Sequence, residues 1–214
     1  MSSLTRILAT LFVVITVAIG AGVYLSSRDS APGEMPAGAQ VVRDSSHRLN
    51  SVPDSDVTFV EFLDFECEGC RAAFPVVEQL REQYGQRVNF VARYFPMPGH
   101  VNGERAARAV EAAAQQDRFE DMYRKMFDTQ SQWGERQEPA DDVFRGFAAD
   151  LALDLTAFDE VYNAAETLDR INEDVADGTA LGVRGTPTFF LDGEQLQIRT
   201  YEDLGAAIEQ ALRG

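Results

Sequence analysis

The chain has 214 residues, 45% of them hydrophobic, with a net charge of −16 and a pI of about 4.4. That length suits one domain of ordinary size, or one domain with an appendage. The charge argues against a nucleic-acid partner, which needs a basic face toward phosphate; Lys125 is the only lysine, and so acidic a surface suits a salt-rich or acid-tolerant setting.

Residues 7 to 25, "ILATLFVVITVAIGAGVYL", contain no charged side chain. The run is long enough to cross a bilayer as a helix, and longer than the apolar core of an ordinary cleaved signal. It predicts a membrane anchor at 7–25, with residues 1–6 cytoplasmic and everything after it outside the cytoplasm, because the slight positive excess precedes the span. Small residues from Ala18 to Gly22 leave a second possibility open, a secreted protein released by signal cleavage. Residues 26–52 open with "SSRDSAPGEMPAGAQ", too poor in apolar side chains to bury a core, and read as a flexible linker. The folded domain is expected over 53–214.

"DVTFVEFLDF", 56–65, is short, apolar and rich in β-branched and aromatic residues, which reads as a buried strand of a parallel pair. "RAAFPVVEQLREQYG" then has apolar residues at 73, 74, 77, 80 and 84, a helical spacing closed by Gly85 and disturbed by Pro75. "RVNFVARYFP", 87–96, alternates as a strand. A helical block follows, about 101–181. It contains the alanine-rich "ERAARAVEAAAQQ", a helix capped at Asp117 with Glu120 as its capping-box partner, another near 141–151, and one long helix over 155–180. Trp133 and the stripe Phe119, Met122, Tyr123, Met126 and Phe127 read as core. "TPTFFLDG" and "EQLQIRT" form a hairpin about Asp192-Gly193, and "YEDLGAAIEQALRG" closes as an amphipathic helix. The sum is an α/β fold, a mixed sheet with a helical insertion between its halves.

The chain's two cysteines, Cys67 and Cys70, stand at the junction of the first strand and the first helix. A C-x-x-C there puts the first sulfur at a helix N-terminus, where unpaired N–H groups and the helix dipole favour a thiolate. Cys67 is therefore the expected nucleophile, and Cys70, almost one turn further on, the resolving thiol. Outside the cytoplasm such a pair can stay oxidised. A structural staple is disfavoured because so small a loop removes little unfolded-state entropy. Zinc would need two further ligands, and only His47 and His100 remain, so no metal site is expected. His100 and Asp64 read as loop and turn residues. In "VRGTPTFF", proline heads a strand to whose ladder it cannot donate. A cis bond at Thr186–Pro187 resolves this and leaves the Thr186 backbone free to pair with an extended substrate beside Cys67.

The strand, the C-x-x-C, the kinked helix, the long helical insertion and the Gly-Thr-Pro-Thr hairpin together resemble the DsbA-like branch of the thioredoxin superfamily, and within it membrane-anchored bacterial members. The resemblance covers about residues 55–213. It implies a thioredoxin-like fold and thiol–disulfide exchange, with direction unresolved and oxidase favoured. It implies no cofactor beyond the Cys67–Cys70 disulfide itself. Glu61, six residues before Cys67, matches the family's buried acid, which assists proton transfer to the second cysteine. Thr186 and Pro187 match its cis-proline loop. The implied partners are protein thiols and disulfides, a redox partner that recycles the pair, and the membrane through the N-terminal helix. The departure lies in the tuning dipeptide Glu68-Gly69, where the family usually carries proline, often followed by histidine or an aromatic. An acid beside Cys67 disfavours the thiolate and should make the disulfide less oxidising. A redox-inert binding module, a chaperone or a metal-handling protein is the alternative.

Overall fold

The computed structural model describes residues 38–214. The anchor expected at 7–25, the cytoplasmic stub and the first part of the expected linker lie outside the described residues. Among the described residues there are five strands and seven helices. In chain order they are β1 His47–Arg48, β2 Thr58–Leu63, α1 Glu68–Tyr84, β3 Asn89–Tyr94, α2 Gly103–Ala114, α3 Phe119–Trp133, α4 Asp141–Asp150, α5 Leu155–Asn163, α6 Ala165–Ala180, β4 Thr188–Leu191, β5 Glu194–Gln195 and α7 Glu202–Ala211. No helix among these residues is long and apolar enough to cross a membrane.

The sheet is mixed, in the order β1-β3-β2-β4-β5. β2 and β3 are parallel, joined through α1, and β4 runs antiparallel to β2. Both faces of the central strands are covered, so β2 is buried almost throughout rather than on alternate residues. Phe59 and Leu63 join Phe90, Ala92, Tyr94, Phe189 and Leu191 in the larger core, shared with α1 and most of the helical block. Val60 and Phe62 point the other way, with Val91, Phe95 and Phe190. By this alternation Glu61 shares a face with Phe59 and Leu63. Its register partners there are Ala92 and Phe189, so the carboxylate stands among apolar neighbours.

Three sequence expectations need correction. The linker does not extend to residue 52. Residues 38–52 pack on the domain, with Val41 and Leu49 in the two cores and His47–Arg48 hydrogen-bonded to β3 as an edge strand. Composition missed this because much of the attachment is ionic. Arg43 holds Asp177 through Nε and Nη2 at 2.5 and 2.8 Å, and Arg93 donates to the Gln40 and Val41 carbonyls and to Asp174 and Asp177.

The capping box at Asp117 does not form. Asp117 adopts φ +58°, turning the chain out of α2, and Glu120 binds Arg81 and Arg124 instead. The single helix over 155–180 is two helices, broken at Ala164, where φ −67° and ψ 146° are extended. Asp154 caps α5 by accepting from the N–H groups of Thr156 and Ala157. The Val161 carbonyl accepts the Ala164 N–H at the break and also the Thr167 hydroxyl, the latter at 2.6 Å.

The hairpin turn is built as its sequence requires. Asp192 and Gly193 both have positive φ, +49° and +88°, the primed turn geometry that matches strand twist. α1 runs unbroken through Pro75.

Candidate active site

Cys67 is the N-cap of α1, with extended backbone (φ −69°, ψ 123°). Its sulfur is half-buried, and Cys70 is fully buried beneath it. Both are thiols in this structure. The Cys67 pKa is lowered to about 5, first by hydrogen bonding from the Cys70 thiol. Partial burial opposes the shift, and Thr186 and the N–H groups of Cys70 and Gly69 reinforce it. The Cys70 pKa is pushed well above its ordinary value, chiefly by burial. The two sulfurs are thus divided as exchange chemistry requires, one ionised and accessible, one protonated and protected.

The Thr186–Pro187 bond is cis. It sets the Thr186 carbonyl 3.2 Å from the Cys67 sulfur, where it accepts from the thiol form. The Thr186 hydroxyl is buried and has no hydrogen-bond partner among the described residues. Gly69 lies against the same loop, and a Cβ there would come within 3.2 Å of Pro187 Cδ and 3.5 Å of the Cys67 sulfur. Glu68 is exposed in the first turn of α1. The sequence expectation had this acid tune Cys67, whereas the largest influences on that sulfur are hydrogen bonding from Cys70, then burial, then Thr186 and backbone N–H groups.

Glu61 is buried, with Oε1 unpartnered among the described residues. Its pKa is raised to about 8, first by burial and then by the charges of Cys67 and Glu78. The lowered Cys67 pKa and the raised Glu61 pKa both favour a thiolate beside a carboxylic acid at neutral pH.

Several residues of the site carried no usable signal in the sequence. Asp64, expected at a turn or edge, is fully buried. Its N–H points at the Cys70 sulfur at 3.4 Å, and its carboxylate accepts from the N–H groups of Glu66 and Met97 at 2.9 and 2.8 Å. Buried Glu66 accepts from Asn102 and Glu135 N–H at 2.6 and 3.1 Å, tying the cysteine loop to both α2 and the end of α3. Gln130 of α3 donates to the Phe65 and Cys67 carbonyls, and the Tyr201 hydroxyl donates to the Gly69 carbonyl at 3.0 Å. Acids embedded in an apolar run, as in "DFEC", are the one pattern that hinted at buried, hydrogen-bonded carboxylates.

Of the histidines weighed for zinc, His47 pairs with Glu111 at 2.6 Å and stacks on Phe119, and His100 binds Asp64. Among the described residues no group of three or more His, Cys, Asp or Glu is arranged to hold a metal. Trp133 is fully buried edge-to-face with Phe144.

A family model described as thioredoxin matches residues 52–210. The chain belongs to the thioredoxin family. Among solved structures that share this thioredoxin-like fold, BdbD from Bacillus subtilis superposes with a TM-score of 0.72 at 20% identity, over 82% of this chain and 97% of that one. The thiol-disulfide exchange protein alpha-DsbA2 from Wolbachia pipientis superposes at 0.67 and 20%, over 80% and 89%. A thioredoxin-like oxidoreductase from Silicibacter pomeroyi DSS-3 superposes at 0.66 and 26%, over 80% and 95%. These likenesses show the thioredoxin-like fold. Curated relatives include the Na(+)/H(+) antiporter NhaA of Herminiimonas arsenicoxydans, 34% identical over 75% of this chain and 25% of that protein. NhaA 1 of Salinispora arenicola is 35% identical over 75% and 24%. The chain spans about a quarter of the length of these relatives.

Proposed function

We propose that the protein is a thiol–disulfide oxidoreductase that introduces disulfides into protein substrates outside the cytoplasm. The single observation that carries the reading is the division of the two sulfurs, Cys67 half-buried at the start of α1 and 3.2 Å from the Thr186 carbonyl, Cys70 fully buried beside it. The uncharged run 7–25 supports a membrane tether, with signal cleavage as the other processing outcome.

In the proposed cycle a substrate thiolate attacks the Cys67 sulfur of the Cys67–Cys70 disulfide. The intramolecular S–S bond breaks, a mixed disulfide forms, and Cys70 leaves as a thiolate that takes the proton of Glu61. A second substrate thiolate then attacks the substrate sulfur, and Cys67 departs as its stabilised thiolate. The substrate has lost two electrons and carries a new disulfide; the protein pair has gained them. A redox partner carrying a disulfide or an equivalent two-electron acceptor returns the pair to its oxidised form.

Two features favour the oxidising direction. A low Cys67 pKa stabilises the reduced protein and makes Cys67 a good leaving group. Glu61 with a pKa of about 8 is protonated at neutral pH, ready to give a proton to departing Cys70. Thr186, beside the cis-proline, leaves backbone for an extended substrate segment. No metal or organic cofactor enters the cycle.

The test is oxidation of a dithiol peptide and reduction of insulin by wild type and Cys67→Ser, with the pair's equilibrium against glutathione. The reading expects oxidation to dominate and to vanish in Cys67→Ser. Equal activity in the two proteins would leave a binding module instead.

A further inference from the structure

From Glu61 to Cys70 the chain carries four carboxylates, Glu61, Asp64, Glu66 and Glu68, and no cation. A Cys67 thiolate adds a negative charge to that loop, and like charges oppose its formation. The tertiary structure brings a base to the same place from a remote segment. His100, on the connection between β3 and α2, sets its Nδ1 2.6 Å from Asp64 Oδ2.

Asp64 is not a passing surface partner. Its carboxylate is fully buried and also accepts the Met97 and Glu66 N–H groups, while its own N–H faces the Cys70 sulfur. One residue thus joins the imidazole to the cysteine pair. The His100 side chain is 35% exposed, so it can exchange protons with solvent. With Nδ1 committed to Asp64, the proton gained on ionisation goes to Nε2.

We propose that His100, held by Asp64, is the positioning residue that supplies the positive charge favouring the Cys67 thiolate, a charge that the Glu68-Gly69 dipeptide does not provide. The proposal rests on the thiol–disulfide reading above. The groups around the imidazole agree with it. Asp64 and Glu66 on the β2–α1 loop and Cys67 at the head of α1 all carry or acquire negative charge. On α2, Glu104 pairs with Arg108, and Arg105 is drawn to the Val101 carbonyl and Asp141. Arg93 of β3 is spent on Asp174 and Asp177. Partial burial of the ring opposes its protonation, but the hydrogen bond to Asp64 and the charges of Asp64, Glu66 and Cys67 outweigh it and raise its pKa. Coupling of this kind is reciprocal: what the thiolate does for the imidazolium, the imidazolium does for the thiolate.

The test uses the full chain as wild type, His100→Gln and His100→Arg. Thiolate absorbance of the reduced protein is followed against pH, and the glutathione equilibrium is measured at neutral pH and below. Glutamine keeps a donor for Asp64 and removes the charge; arginine keeps the charge. In His100→Gln the Cys67 titration should move upward, and the glutathione equilibrium should shift about fivefold toward the disulfide, the size of a screened charge pair near a surface. His100→Arg should restore both and remove the pH dependence that imidazole titration gives the wild type. Wild-type behaviour in His100→Gln overturns the proposal, as do equal shifts in both variants, which would mark loop packing rather than charge. If wild type fails to exchange with glutathione at all, the oxidoreductase reading falls, and the thiolate titration still decides the role of His100.

Discussion

Gln130 donates from Nε2 to the Cys67 carbonyl at 2.9 Å and to the Phe65 carbonyl at 2.6 Å. A residue of the helical insertion therefore holds the backbone of the nucleophile. The insertion does more than cover the sheet: with Glu66 bound to its Asn102 and Glu135 N–H groups, it fixes the loop from which α1 starts.

Gln130→Leu leaves the Phe65 carbonyl of a buried segment without its donor and takes one of two donors from the Cys67 carbonyl, which keeps the Arg71 N–H. It should destabilise the protein by about 2 kcal/mol or more, read from urea unfolding, and should loosen the cysteine loop, read as faster amide exchange at residues 66–69. An unchanged unfolding midpoint would mean that the carbonyls find water instead.

Glu61 gives the protein a pH dependence of stability with a definite sign. Its folded pKa, about 8, lies above the ordinary carboxylate value of 4.5. The folded state therefore binds this proton more tightly than the unfolded chain, and the contribution is fully present below pH 4.5. It is lost as pH rises toward 8, by no more than about 5 kcal/mol. Glu61→Gln should flatten that slope and make the reduced protein more stable than wild type at pH 9. It should also slow opening of the disulfide by about a hundredfold, the usual worth of a placed general acid, as followed by Trp133 fluorescence. Parallel pH–stability curves for the two proteins would contradict the burial argument.

Thr186→Val removes a hydroxyl at nearly constant volume. A hydrogen bond to a charged sulfur is worth more than one to a neutral group, so the Cys67 pKa should rise by about one unit from its value near 5. In wild type the depressed pKa gives the reduced protein a stabilisation that is complete above pH 9 and disappears as pH falls through 5. The variant should lose it at a higher pH. Absorbance titration of the thiolate measures the shift, and no movement would assign the lowering to Cys70 and the backbone alone.

Arg93 is fully buried between Asp174 and Asp177, at 2.6 Å from each. Arg93→Met would take one of two arginines from each buried carboxylate, since Asp174 keeps Arg170 and Asp177 keeps Arg43, and should cost about 3 kcal/mol. Adding Asp174→Asn and Asp177→Asn should deepen the loss, because Arg170 and Arg43 then lose their own partners; recovery would assign the cost to uncompensated buried charge instead. Denaturant unfolding of the single and triple variants decides between these causes.

The local elements were legible where chain geometry is local. The period of apolar residues marks β2, α1 and α7, the Asp192-Gly193 pair marks a primed turn, and C-x-x-C at a strand–helix junction marks the nucleophile. The break at Ala164 was not legible, since the residues from 155 to 180 keep helical periodicity while the backbone turns extended at one position. Nor was the packing of residues 38–52, because composition measures apolar burial and not the pairing of Arg43 with Asp177 across the fold.

The sequence by itself determined which sulfur sits at a helix start, because that follows from short-range spacing at one strand–helix junction, while Glu61 and Pro187 were assigned to the same site through the family resemblance. Only the tertiary structure decided how that sulfur is tuned. Asp64, His100, Gln130, Thr186 and Tyr201 come from five separate segments, and electrostatic and hydrogen-bond energies depend on distances in space that no spacing along the chain encodes.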